Sequence, residues 1–415
     1  MATPALYAGV TSLLEPLAAP AVAWLARGEP ALLRAERLGR APVTPAATWW
    51  HAASLGEMAA LEPLLEAARA RGLAGPFAVT ATTRAGRTAA ERLWPGRVSL
   101  APVDLPRAVR RALAARRPRS LVVVETELWP NWLAEAARSG VHLALVNARL
   151  SDRSFPRYRR WRALFRPLVA SFGAIAARTE ADAQRWLDLG APAGALRVTG
   201  NCKHDRVRDV PPLELPWAPA PVVTVGSLRH GEERLVLDSL MVARKKVADL
   251  RVVVAPRHPE RWPDLESDLR SRGFRPARRS APRSEDTEAT ALILDTHGEL
   301  AAAYAASTVS VIGGTWTPVG GHNPLESAVC GTPVVFGPWT ANVTEEADAL
   351  LDRGGAVRVA EPTELVAVLW HWLRHPQERA EAGAAARAAA GALRGGSGRT
   401  LDWLERRGVL SREDA

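Results

Sequence analysis

Glu57 closes the run Trp49-Trp50-His51-Ala52-Ala53-Ser54-Leu55-Gly56-Glu57, where an apolar strand gives way to a small-residue turn and then a helix. A carboxylate in the first turn of such a helix could take a proton from an attacking hydroxyl. The same position also suits an acid that only complements the helix dipole. A second acidic place is Leu121-Val122-Val123-Val124-Glu125-Thr126-Glu127-Leu128-Trp129-Pro130-Asn131. Apolar residues stopping abruptly at an acid put Glu125 at the C-terminal end of a strand, where open α/β sheets build their sites. A plain loop capped by Thr126 or Asn131 fits the pattern as well. Lys203, within Thr199-Gly200-Asn201-Cys202-Lys203-His204-Asp205, lies near the end of a domain and could face an anion or simply water.

The second half carries signals for an anionic ligand. Gly226-Ser227 ends a strand and leads to Glu232-Glu233 at a helix start, a turn whose N–H groups could meet a negative charge. Arg257 follows the strand run Val252–Ala255 and projects from its end. Gly313-Gly314 and then Gly320-Gly321-His322-Asn323-Pro324-Leu325-Glu326 make a glycine-rich loop between a strand and a helix. Glycines let backbone amides approach a phosphate, and an acid a few residues later can take ribose hydroxyls. No His, Asp or Glu spacing points to a metal; His51, His258 and His322 each read as isolated hydrogen-bonding or core histidines.

These residues need a scaffold, and the apolar pattern supplies one. Thr48–His51, Phe77–Ala81, Leu121–Glu125, His142–Asn147 and Ala174–Ala177 read as buried strands. Met58–Arg71, Pro106–Ala115, Pro130–Arg138 and Arg159–Val169 read as the helices between them. Repeated β-α alternation predicts a parallel sheet covered on both faces. The alternation breaks at residues 209–221, which hold Pro211, Pro212, Pro216, Pro219 and Pro221. It restarts with Val222–Val225, Arg251–Ala255, Leu292–Leu294, Val309–Ile312 and Val334–Phe336, with the helix Glu232–Val247 between the first two. The pattern predicts two doubly wound domains, residues 27–208 and 222–415, joined by a proline-rich linker over 209–221 and facing each other across a cleft. Arg379–Leu393 is a strong helix former that should end at Gly395-Gly396.

The chain has 415 residues, 47% hydrophobic and 24% charged, which excludes wholesale disorder, and a net charge of +10 that favours an anionic partner. Its two cysteines lie far apart and suggest neither a disulfide framework nor a zinc site. Residues 1–26 form an apolar segment interrupted by Glu15, Pro16 and Pro20 and followed by Arg27, Arg34, Arg37 and Arg40. The length and the basic flank predict a membrane anchor facing the cytoplasm; an amphipathic helix packed on the protein fits too. The basic runs Arg107–Arg119 and Arg149–Arg166 have few interleaved aromatics and match no nucleic-acid motif, so they read as a face toward acidic lipid.

Taken in order, Ser54–Glu57, Pro102–Asp104–Pro106, Glu125–Asn131 (ETELWPN), Asn147–Ser154 (NARLSDRS), Gly200–Lys203, Pro256–Arg261 (PRHPER), Gly320–Glu326 (GGHNPLE) and Gly337–Asn342 resemble the 3-deoxy-D-manno-octulosonic acid (Kdo) transferases of lipopolysaccharide synthesis. The resemblance implies a GT-B fold and an inverting transfer of Kdo from CMP-Kdo to a lipid A precursor. It further implies no metal and no other cofactor, no nucleic-acid partner, and a place on the cytoplasmic side of the inner membrane. By motif match Glu57 resembles the general base, and Glu125 and Lys203 the residues that stabilise the transition state. Pro256 and Arg257, then His297, Gly298 and Glu299, then Asn323, Pro324, Leu325 and Glu326 resemble the CMP-contacting segments. His297 stands where the family usually has methionine. Two other readings compete: a GT-B enzyme that uses a UDP-sugar, and a membrane-bound scaffold without turnover, against which the intact acids at 57 and 125 argue.

Overall fold

Among the described residues fourteen short strands are all paired in parallel, as the β-α alternation predicts. The first seven are β1 (Thr48–His51), β2 (Phe77–Ala81), β3 (Val98–Leu100), β4 (Ser120–Val124), β5 (His142–Ala148), β6 (Ala174–Ala177) and β7 (Leu196–Val198). They form one sheet in the order β3-β2-β1-β4-β5-β6-β7. The others are β8 (Val222–Leu228), β9 (Arg251–Pro256), β10 (Pro276–Arg278), β11 (Ala291–Ile293), β12 (Val309–Ile312), β13 (Val334–Phe336) and β14 (Ala356–Arg358). Their order is β10-β11-β9-β8-β12-β13-β14. This computed structural model describes residues 3–25, 30–73, 75–217 and 219–411.

The order of growth reverses between β1 and β4 in the first sheet and between β8 and β12 in the second, where β11 is also inserted between β9 and the edge strand β10. Thr48 pairs with both Phe77 and Ser120, so β1 lies between β2 and β4. Ligands of open α/β sheets bind beyond the strand ends at this reversal. Alternate residues feed opposite faces. Trp50, Val79, Val122, Val124 and Val146 enter one core, and Trp49, Leu121, Val123, Leu143 and Leu145 the other. Burial on both faces is why the strands read as unbroken apolar runs.

The chain divides into two units, Met1–Arg206 together with Arg394–Ala415, and Val207–Leu393. Two expected boundaries move. The linker 209–221 belongs to the second unit: Leu213 is buried there with Leu215 and Trp217 beside it, and its N–H donates to the Ala302 carbonyl at 2.8 Å. Residues 394–411 belong to the first unit, not to a second domain running to 415. After Gly395, at φ 83°, the helix Gly396–Arg406 sets Leu401 and Leu404 into the core that holds Trp50, joined by Val409 and Leu410. Asp205 accepts the N–H groups of Gly395 and Ser397 at 2.5 and 2.7 Å, and Ser120 Oγ donates to the Val409 carbonyl at 2.5 Å. Residues 412–415 of the expected domain, and Ala218 of the expected linker, lie outside the described residues.

The helix Pro4–Leu25 runs along the first unit with its polar side inward. Thr11 Oγ1 accepts from Asn131 Nδ2 at 3.0 Å, Tyr7 is hydrogen-bonded to Asp104, and buried Glu15 lies 3.9 Å from Arg107. Leu6, Val10, Leu13 and Leu14, at helical spacing, face outward, Leu13 being 81% exposed. Among the described residues no helix is long and apolar enough to cross a membrane. Of the expected anchor, residues 1, 2 and 26 lie outside the described residues.

Leu404 is fully buried among first-unit residues, so Leu404→Ala should destabilise that unit by about 2–5 kcal/mol. Urea unfolding followed by amide hydrogen exchange checks this: protection of β1 and β4 should fall while that of β9 stays as in the parent.

Candidate active site

At the reversal point of the first sheet, the ends of β1 and β4 present three carboxylates. Glu57 sits in the first turn of the helix Leu55–Ala70, which Ser54 opens in extended conformation. Its Oε2 accepts the Ala53 N–H in a short hydrogen bond. Glu125 follows β4 with φ 62°, and Asn147, in the neighbouring β5, has φ 50°. Left-handed backbone at two non-glycine residues side by side is strain of the kind concentrated at functional sites. It turns the Glu125 side chain toward Lys203, whose Nζ is 2.6 Å from Oε1, with Asn147 Nδ2 at 3.5 Å. Glu127 Oε2 accepts from Trp129 Nε1 at 2.7 Å and faces His51 Nε2 at 3.8 Å. His51 is wholly buried in β1, its Nδ1 3.0 Å from Thr80 Oγ1.

These surroundings split the acids' affinities for protons. Burial first, then the charge of Glu127 and more weakly that of Glu125, push Glu57 up to about 8; the amides of Ala53 and Ser54 only partly offset this. The helix N-terminus is therefore not enough to keep Glu57 ionised at neutral pH, contrary to what the dipole alone predicts. Burial acts on Glu127 too, but His51 and the Trp129 N–H outweigh it and hold that carboxyl below its ordinary range. Two further acids, Asp104 of a quoted motif and Asp182 outside them, are structural. Asp104 accepts the Asn131 and Trp132 N–H groups at 3.2 and 2.8 Å at the start of the helix Pro130–Arg138. Asp182 accepts the Leu150 N–H at 2.7 Å and so fixes the NARLSDRS loop.

Lys203 owes its place to the chain's last helix. It lies in the short 3₁₀ turn Cys202–Arg206. That turn is tied on one side by the Cys202 N–H to Asn147 Oδ1 at 2.9 Å, and on the other by Asp205 to the amides of Gly395 and Ser397. A Cβ on Gly396 would come within 2.9 Å of the Asn201 carbonyl carbon, so the helix can pack this closely only with glycine there.

In the second unit the expected residues gather at the ends of β8, β9 and β12. Gly313 and Gly314 follow β12 under Ser227; a Cβ on Gly313 would fall 2.5 Å from the Ser227 carbonyl oxygen, and Gly314 has φ 73°. Glu232 turns out to organise this loop: fully buried, it accepts the N–H groups of Arg229, Gly314 and Trp316 at 3.1, 2.7 and 2.8 Å. The Arg229 amide of the Glu232-Glu233 turn is thus engaged within the protein, as are those of Gly314 and Trp316 in the glycine loop. Positive charge lies next to it. The His322 ring packs on Gly314 and its buried Nε2 has no hydrogen-bond partner. Burial first, then Arg257, Arg229 and His258, push His322 down to about 4, which keeps it neutral. Arg257 is exposed at the end of β9, next to Pro256. Neither Arg257 nor Arg229 has a carboxylate partner among the described residues. Asn323 is exposed, its Oδ1 accepting the Leu325 N–H at 3.0 Å; Pro324 and Leu325 are buried and Glu326 half-buried. His297 and Gly298 are exposed, and Glu299 is held by Arg279 at 2.7 Å.

The profile of the 3-deoxy-D-manno-octulosonic-acid transferases matches residues 34–206. A 3-deoxy-D-manno-octulosonic acid transferase of Bordetella pertussis is 36% identical over 383 residues, 88% of this chain and 89% of its own. The chain belongs to the Kdo transferase family. Its relative in Haemophilus influenzae is 30% identical over 76% of each chain. The UDP-GlcNAc 2-epimerase of Neisseria meningitidis, 13% identical, superposes with a TM-score of 0.58 over 88% of this chain and 99% of that one, which establishes the shared GT-B fold and nothing further. As a Kdo transferase the protein is a glycosyltransferase of lipopolysaccharide biosynthesis. Geometry gives roles to several residues that the sequence named without one or passed over: Glu127 and His51, Asn147, Arg229 and Glu232. The spacing of Glu125 and Glu127 hinted at the first. The others show only when strand ends meet.

Titrating Glu57 through its carboxyl carbon by NMR should give a midpoint near about 8. Glu127→Gln removes a neighbouring negative charge, so the midpoint should move down; no shift would show that burial alone raises it.

Proposed function

We propose that this protein moves Kdo from CMP-Kdo to a hydroxyl of a lipid A precursor (lipid IVA) with inversion at the anomeric carbon. The observation that carries this is the division of labour among Glu57, Glu125 and Lys203. Glu57 has no cation paired with it among the described residues and a raised proton affinity, which makes its ionised form a stronger base than an ordinary carboxylate. The acceptor oxygen attacks the anomeric carbon, its proton passes to Glu57, and the bond to the CMP phosphate breaks with the electron pair leaving on CMP. Glu125 offers negative charge to the positive character that develops at the sugar, and Lys203 holds an anion such as the sugar's own carboxylate. Arg257 with Arg229 would take the phosphate, with Pro256, His297, Gly298, Glu299 and the segment Asn323–Glu326 around the nucleotide. Glu326, half-buried at the end of the glycine-rich loop, suits a ribose contact, and Glu299 is held in place by Arg279 and Thr296.

The acceptor is a membrane lipid, and the helix Pro4–Leu25 supports work at the cytoplasmic face of the inner membrane. Glu15 and the two prolines count against a span, but Glu15 is turned into the protein while leucines face out. A helix with that arrangement lies in the interface with its apolar side among the lipids. Arg107 and Arg110, exposed on the adjoining helix Pro106–Arg116, would face acidic headgroups.

Glu57→Gln should lower kcat by about 10²–10⁴-fold with CMP affinity unchanged. Arg257→Ala should weaken CMP binding by about 1.5–3 kcal/mol, and UDP should compete poorly with CMP. Radiolabelled transfer to lipid IVA and calorimetric CMP binding measure these; normal turnover in the Gln variant would overturn the base. Exchanging Leu6, Val10 and Leu13 together for serine should release the protein from anionic vesicles at moderate salt, while the parent stays bound in a flotation assay.

A further inference from the structure

The second unit carries a group of side chains that neither the transfer chemistry nor donor binding uses. The helix Pro362–Arg374 ends at His375, and the next helix, Pro376–Leu393, starts at once. His371 from the last turn of the first, His375 at the corner and Glu378 from the first turn of the second converge. One ligating atom from each lies within 4.8 Å of the others.

Hydrogen bonds prepare these atoms. The His371 carbonyl accepts the His375 backbone N–H at 2.9 Å and lies 2.8 Å from His375 Nδ1. A carbonyl can only accept, so Nδ1 carries a proton, and in the neutral ring Nε2 is the nitrogen with the lone pair. Fixing a ligand histidine through a bond from its other nitrogen to a backbone carbonyl is how metal sites orient their ligands. His371 Nε2 is 2.8 Å from Glu378 Oε2, and the two imidazoles stack with centroids 4.4 Å apart. The corner is braced by Arg379 Nη1, which donates to the Trp372 carbonyl at 2.9 Å.

We propose that His371, His375 and Glu378 bind a divalent transition-metal ion, with zinc the ion that their two imidazoles and one carboxylate suit. Zinc bonds of about 2.0–2.2 Å place tetrahedral ligand atoms about 3.3–3.6 Å apart, a contraction that side-chain rotation supplies. The ion displaces the proton shared by His371 and Glu378, and water completes the shell. The ligands come from two helices, so the ion clamps their corner; it takes no part in glycosyl transfer. Magnesium, which prefers oxygen ligands and its own water, should be refused. The spacing His371-x₃-His375-x₂-Glu378 is one that the reading of the sequence passed over, and Pro376 interrupts it.

The full chain, stripped with chelator and exchanged into chelator-free buffer, is titrated with Zn²⁺ by calorimetry and with Co²⁺ by visible absorption. Expected are one saturable site, a four-coordinate cobalt spectrum bleached by zinc, and a rise in unfolding temperature with zinc. His375→Ala and Glu378→Gln should each weaken binding at least about tenfold and remove the temperature rise. The pair would instead be an ordinary contact between helix ends, and the proposal overturned, if no saturable uptake occurs. Equal uptake by the parent and His375→Ala would overturn it as well, by placing the metal elsewhere. CMP binding by Arg257 is not touched by either variant, so the outcome is independent of the transferase reading.

Discussion

Three carboxylates gathered in one half-buried place cannot all be charged and unpaired, and the first unit is built around that constraint. Each acid meets it differently. Glu125 takes a lysine at 2.6 Å, and Glu127 takes an indole N–H and the facing edge of a buried histidine. Glu57 receives only backbone amides, and is left to hold a proton. Their difference in proton affinity follows from which partners the strand ends can offer, and it is what allows one acid to exchange a proton while its neighbour remains a fixed charge.

The partners arrive from far away in sequence. Lys203 is useful only because Asn147 and Asp205 pin its turn, and Asp205 does so by gripping the start of the chain's last helix. The second unit has a parallel device. Glu232 spends its charge on three backbone amides, which shapes the glycine loop after β12 and leaves Arg229, Arg257 and neutral His322 as the polar groups beside it.

Much of this was legible before any coordinates. The central strands announce themselves because both faces are buried and most of their residues are apolar. What the sequence hid were β3, β7, β10 and β14, the outer strands of the two sheets, three residues each. A strand that short offers no period to detect, and β7 and β14 each keep an exposed arginine. The acids at 57 and 125 stood out by position, because apolar runs end at them. Their charge states did not, because those depend on Glu127 and His51 from other segments. The fate of the last helix was equally invisible: Leu401 and Leu404 stand at helical spacing, but spacing does not name the core they join.

That last helix also sets an order of events during synthesis. The core around Trp50 is incomplete until Leu401, Leu404, Val409 and Leu410 exist, whereas the second unit is one continuous stretch. At about 5–20 residues per second, the roughly 190 residues between Arg206 and Arg394 take on the order of 10–40 s to emerge. For that interval the earlier-made unit waits with an open groove beside the helix Leu55–Ala70, while the later-made one can already close. Apolar surface exposed for so long is a natural holding place for a chaperone, and the first unit is sealed by a segment made well after the rest of it.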